Sequence, residues 1–252
     1  MLGKLLKYEI PALGRKLMPL YAGWCATAVL LGLAVGPVSS KSEFMVVIAG
    51  LMYTAAATAV LVMAVVMIIQ RYSKSLLGDE AYFYQVLPAT ASEHIASKAV
   101  SALIWVLLSG VAMLLTGLLI AIFSGSMKSF FEVMPEIFRG IKGNEWLIIL
   151  EFLILSAFSI TKSVMAIYAA ITIGHQAQKH TTIASIGAYI AVLWFEGVVG
   201  RAIAGLFPEL IMNFDIYDFH KIFFGALAVT AALMAIYFFI CKYLMEKRLN
   251  LN

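Results

Sequence analysis

The sequence predicts an all-α, polytopic membrane protein: six transmembrane helices preceded by an N-terminal amphipathic interfacial helix, with both termini inside. Three observations predict it. Hydrophobic residues make up 63% of the 252-residue chain and charged residues 13%, against roughly 45–50% and 25% in soluble domains. Six apolar runs are each long enough to cross about 30 Å of hydrocarbon. The lysines and arginines between those runs are unequally shared.

Residues 2–17 have the pattern of the interfacial helix. Leu2, Leu5, Leu6, Ile10, Leu13 and Leu17 recur at helical spacing, while Lys4, Lys7 and Arg15 fall on the opposite arc. Glu9 and Lys16 lie near the apolar arc, close enough to meet across two turns. Pro11 is expected to bend the helix where it turns from the membrane surface into the bilayer. The apolar run Pro19–Val35 is too long for a signal-peptide core, so it is expected to remain as the first span.

The spans are placed near 18–37, 44–69, 99–123, 146–172, 182–207 and 222–244. Ser40-x-x-Glu43 and Thr90-x-x-Glu93 have the form of capping boxes, in which side chains satisfy the free donors of a first helical turn. Asn144 is placed to cap the fourth run. With both termini inside, eleven basic residues lie on the cytoplasmic side: Lys4, Lys7, Arg15, Lys16, Arg71, Lys74, Lys98, Lys179, Lys242, Lys247 and Arg248. Five lie opposite, namely Lys41, Lys128, Arg139, Lys142 and Lys221, which favours that orientation. Ala28, Gly32 and Gly36 on the first span, and Gly197, Gly200, Ala204 and Gly205 on the fifth, form small-residue stripes that suit close helix approach.

Four ionisable residues fall inside spans: Glu151 and Lys162 in the fourth, Glu196 and Arg201 in the fifth. Such groups are costly in a bilayer and mark either a structural pairing or a substrate or ion pathway. Glu151 and Lys162 share a face but lie roughly 16 Å apart along the helix, too far to pair. Lys162 is expected to reach a neighbouring carbonyl, and Arg201 to snorkel outward. Glu196 is the deepest acid.

Several chemistries have no sequence support. The chain carries no phosphate loop, no His-Glu-x-x-His, no Cys-x-x-Cys and no nucleophile elbow. His175 and His180 do not share a helix face, and His94 and His220 stand isolated, so no metal site is expected. Cys25 and Cys241 read as small hydrophobes within apolar runs. The basic residues form no block interleaved with aromatics, which argues against nucleic acid as a partner.

The longest polar interval is Gln70–Lys98, QRYSKSLLGDEAYFYQVLPATASEHIASK. Tyr82, Phe83 and Tyr84 follow the acidic pair Asp79–Glu80. Neighbours on a helix point about 100° apart, so these rings cannot all face one way and at least one meets water or a partner.

The order of parts, with KLLKYE and GRKLMPLY at the start and GDEAYFYQVLPATASEHIASK running into the third span, resembles the permease subunits of type-2 ATP-binding-cassette (ABC) exporters. That class includes bacterial exporters of drugs, antimicrobial peptides and polysaccharides. The resemblance implies an interfacial helix on the inner leaflet and a coupling helix at about Leu77–Leu87 that fits a cleft on a separate ATP-binding subunit. Asp79, Glu80, Tyr82, Phe83, Tyr84 and Leu87 would make that contact. It also implies a second permease copy and a location in the cell (cytoplasmic) membrane. ATP and magnesium would sit on the partner, with no cofactor and no catalysis in this chain. A short helical turn or hairpin between the last two spans would correspond to Phe207–His220, and the 124–145 loop is the less expected feature, with no role assigned.

Two other readings stay open on the residues alone. An ion-coupled secondary carrier would use Glu151, Lys162 and Glu196 as relays, although no inverted repeat is visible. A non-transporting membrane scaffold or immunity protein would need only a partner surface.

Overall fold

A computed structural model describes residues 2–36, 43–78, 89–128, 131–132, 135, 145–177, 179–206 and 219–247. Its long elements are six helices: α1 (Leu2–Val35), α2 (Glu43–Tyr72), α3 (Ala91–Phe123), α4 (Glu145–Gly174), α5 (Thr181–Leu206) and α6 (Phe219–Lys247). A π-helical turn, Ser73–Leu77, extends α2. Each helix is long and apolar enough to cross a membrane, as the six apolar runs predict. Leu51, Leu114, Phe152, Ile190 and Trp194 are exposed in numbers that water would not tolerate, and these are side chains for lipid to cover.

The beginning of the chain differs from expectation. The interfacial segment and the first span form one helix, and Pro11 and Pro19 both lie inside it. An interior proline removes a backbone donor and crowds the preceding turn. Here α3 supports that turn. The Trp105 indole donates to the Ile10 carbonyl at 3.1 Å, and its ring fills the space left by Gly14, where a Cβ would come within 2.7 Å of it. Lys4, Lys7 and Arg15 are exposed, Leu13 and Leu17 are buried, and Leu2, Leu5, Leu6 and Ile10 are half-buried. Glu9 is buried and Lys16 exposed.

The chain divides into two compact units. One comprises Lys7–Ile68 and Ile104–Gly143, the other Met1–Leu6, Ile69–Leu103 and Asn144–Asn252. The first is built on an aromatic core: Leu13, Leu17, Tyr21 and Trp24 of α1 pack with Val60 and Ala64 of α2 and with Trp105 and Ala112 of α3. Tyr21 stacks on Trp105 with ring centroids 6.3 Å apart. The Tyr21 hydroxyl lies 2.7 Å from Ser109 Oγ, and both hydroxyls reach the Trp105 carbonyl, at 3.3 and 3.0 Å. Tyr53 reaches Thr116 at 3.0 Å.

The stripe on α1 packs as anticipated. Ala28 is fully buried, and a Cβ on Gly32 would lie 2.8 Å from the Phe123 Cβ and 3.0 Å from the Ile120 carbonyl. On α5, no described residue lies within 4 Å of a Cβ placed at Gly200 or Gly205.

In the second unit, α4 packs against both α5 and α6. Its end closes tightly onto α5, where a Cβ on Gly174 would collide with the Ser185 backbone. His180, just before α5, takes a left-handed φ of 66°. Cys241 is buried and Cys25 partly exposed, both as free thiols.

Gly32→Val should therefore lower stability by about 1–3 kcal/mol, the usual cost of overpacking against backbone. Gly117→Ala, with nothing within 4 Å, should change it by less than about 0.5 kcal/mol. Thermal unfolding of the two variants in the same detergent measures the difference.

Candidate functional site

The residues singled out by sequence fall in three places. Asp79, Glu80, Tyr82, Phe83, Tyr84 and Leu87 lie outside the described residues, as do Ser40, Asn144 and nearly all of Phe207–His220. The flanks of residues 79–88 are described, and both are firmly built. On the far side, the predicted capping box is present. The Thr90 N–H donates to Glu93 Oε2 at 3.0 Å, and the Glu93 N–H donates back to Thr90 Oγ1 at 3.3 Å. Two orphan donors of the first turn are thereby satisfied. Beyond it, Ile95, Ser97, Ala99 and Ala102 are buried. Lys98, grouped by sequence with the exposed loop, is buried too.

On the near side, Tyr72 ends α2 and is fully buried, followed by buried Ser75 and Leu76 in the π-helical turn. Tyr72 stacks face to face on Tyr168 of α4, with centroids 3.9 Å apart and planes 7° from parallel. Its hydroxyl lies 2.8 Å from Thr172 Oγ1. Thr172 Oγ1 also lies 2.8 Å from the Tyr168 carbonyl of its own helix. Cys241 of α6 completes the cluster, its thiol within hydrogen-bonding reach of the Tyr72 hydroxyl. The Tyr168 hydroxyl donates to the Lys98 carbonyl of α3 at 3.4 Å. Sequence reasoning missed this cluster. Its signal was four hydrogen-bonding side chains, Tyr72, Tyr168, Thr172 and Cys241, near the same end of three apolar runs.

The second place is the middle of the second unit. Lys162 Nζ of α4 meets Glu196 Oε2 of α5 at 2.6 Å, and Tyr237 of α6 donates to the other oxygen, Oε1, at 2.9 Å. Each residue stands near the midpoint of its helix. The expectation that Lys162 reaches a carbonyl is thus corrected: it finds the deepest acid. In low dielectric an ion pair at this distance gains far more than a neutral acceptor offers. Tyr237 was not anticipated; a phenol at mid-span is itself a sign that a polar partner sits opposite.

The third place is near the starts of α4 and α6. Glu151 Oε1 and His220 Nδ1 are 2.7 Å apart, so His220 is not isolated. Glu151 and Lys162 do not pair with each other, as their spacing predicts; each finds its own partner on a different helix. Arg201 lies exposed on α5, consistent with snorkelling.

These contacts run in the same order along α4 and α6, through Glu151 and His220, Lys162 and Tyr237, then Thr172 and Cys241, so the two helices are parallel. Together they form a polar seam bridging α4 to α6, joined by α5 at its centre and by α2 at its end. Both carboxylate oxygens of Glu196 are paired, whereas Glu151 pairs through Oε1 alone and its Oε2 is buried without a hydrogen-bond partner among the described residues. The arrangement holds helices together and positions charge. Among the described residues, no group of three His, Cys, Asp or Glu side chains is placed to hold a metal ion.

Removing one member of the central pair strands a charge. Lys162→Met or Glu196→Gln alone should destabilise by about 3–5 kcal/mol, whereas the double variant should recover most of the loss. Tyr237→Phe should cost about 1 kcal/mol. Unfolding of the four variants in a double-mutant cycle reads the coupling directly.

Comparison with protein-family models, with curated proteins and with solved structures found no match to this chain.

Proposed function

We propose that this chain is the membrane-spanning permease subunit of an exporter of the type-2 ABC class. It would work in the cytoplasmic membrane with a second permease copy. ATP and magnesium would be bound and consumed on separate subunits, and the cargo would be drug-like, peptide or lipid-like. The observation that supports this most is the mounting of residues 79–88. A segment that passes force to the membrane must be gripped stiffly at both ends, or its movement is absorbed by slack. Tyr72, Ser75 and Leu76 are buried before it, and a closed, solvent-facing capping box follows it, with burial beginning at His94 and Ile95. The acidic pair and three adjacent rings carried between these mounts supply the aromatic anchors typical of energetically dominant interface positions.

The ion-coupled carrier keeps one observation in its favour, the Lys162–Glu196 pair at mid-membrane. That pair is closed on itself and further tied by Tyr237. A proton or ion relay needs a charge that can be released, so the geometry fits pairing better than relay.

The purified chain should co-purify with a nucleotide-binding protein and hydrolyse no ATP without it. Phe83→Ala with Tyr84→Ala should weaken that association at least about thirtyfold, the effect of losing one hot-spot contact of 2 kcal/mol. Affinity measured in nanodiscs checks this. Gradient-driven flux by the chain alone in sealed vesicles would overturn the permease reading in favour of the carrier.

A further inference from the structure

We propose that Tyr72 is the positioning residue that converts displacement of the 79–88 segment into movement of α4 and α6. The inference rests on the permease reading and concerns the same segment.

Tyr72 is the last α-helical residue of α2, seven positions before Asp79. Between them stand the π-helical turn, with Ser75 and Leu76 buried, and Gly78. Burial at these positions leaves little slack for the chain to take up. Tyr72 itself is bound in both directions. Its ring is in van der Waals contact with Tyr168, centroid to centroid 3.9 Å, so motion toward α4 pushes the Tyr168 ring directly. Motion away must break the 2.8 Å hydrogen bond to Thr172 and open a cavity where a fully buried ring was. A contact that resists both compression and separation transmits push and pull alike.

The other partners make the contact a junction. Tyr168 and Thr172 belong to α4, Cys241 to α6, and the Tyr168 hydroxyl reaches the Lys98 carbonyl on the helix that leaves the segment. Four helices thus meet at one ring pair. From there α4 and α6 run together past Lys162 and Tyr237 to Glu151 and His220. A shift at Tyr72 enters α4 and α6 at the end of the polar seam that ties them along their length.

The experiment uses the full chain with its nucleotide-binding partner in nanodiscs. Amide hydrogen exchange is compared without nucleotide and after trapping with ATP, magnesium and vanadate. In the wild type, trapping should alter exchange in 72–98 and also in α4 and α6 around Tyr168–Thr172 and Tyr237–Cys241. In Tyr72→Ala the change should persist in 72–98 and be lost from α4 and α6, with partner affinity unchanged. Tyr72→Phe, which keeps the ring stack, should restore it. If Tyr72→Ala fails to assemble, Tyr168→Leu removes the same stack from the other side and should show the same loss.

A merely structural role predicts something else: faster exchange in all states, with the nucleotide-dependent difference in α4 and α6 preserved. That result overturns the inference and leaves the permease reading standing. A wild-type chain that binds no nucleotide-hydrolysing partner overturns the permease reading, and the inference falls with it.

Discussion

Hydrocarbon offers no hydrogen bonds, so every polar group carried into it must find its partner within the protein. The ion pair between Lys162 and Glu196 is the sharpest expression of that constraint here. Neither charge is tolerable alone at mid-span. Placed on α4 and α5, they can be satisfied only if those helices lie side by side at one register. Tyr237 then brings α6 to the same level by donating to the oxygen that Lys162 leaves free. The packing of three helices is specified by three side chains, in a medium where apolar surface gives helices no preference for one another over lipid.

The two units meet the same constraint by different means. In the unit built on Lys7–Ile68 and Ile104–Gly143, hydroxyl pairs tie the helices. Tyr21 meets Ser109 and Tyr53 meets Thr116, and the Ser109 and Thr116 hydroxyls also reach a carbonyl of their own helix. Close approach is supplied by Gly14 and Gly32, which admit Trp105 and the turn around Ile120. In the other unit, a close approach is made at the Gly174 corner, and the seam of polar pairs ties the helices along their length. Among the described residues nothing approaches Gly200 or Gly205 of α5, which suits lipid or a partner under the two-subunit reading.

Much of this was visible before any fold was known. Thr90 and Glu93 were identifiable as a capping box because the interaction spans three residues and depends on nothing remote. Ala28, Gly32 and Gly36 were identifiable as an interface because a helix with a stripe of small residues has few other uses for it. The joining of residues 2–17 to the first span was not legible. Pro11 argues locally for a bend, and the residues that support the helix there, Trp105 above all, lie about ninety positions away. The partners of Lys162 and Glu151 were hidden for the same reason, since sequence spacing along one helix says nothing about which neighbour stands across from it.

Composition and periodicity by themselves determined that this chain is helical, that six of its helices are long enough to cross a membrane, and where most begin and end. These are local consequences of side-chain hydrophobicity and backbone geometry, and each can be read within a window of about 20 residues. Which residue answers which was decided only by tertiary structure: Glu196 for Lys162, His220 for Glu151, Thr172 and Tyr168 for Tyr72. The physical reason is that a buried polar group constrains its helix to have some partner without naming it. The choice falls to the register at which whole helices pack.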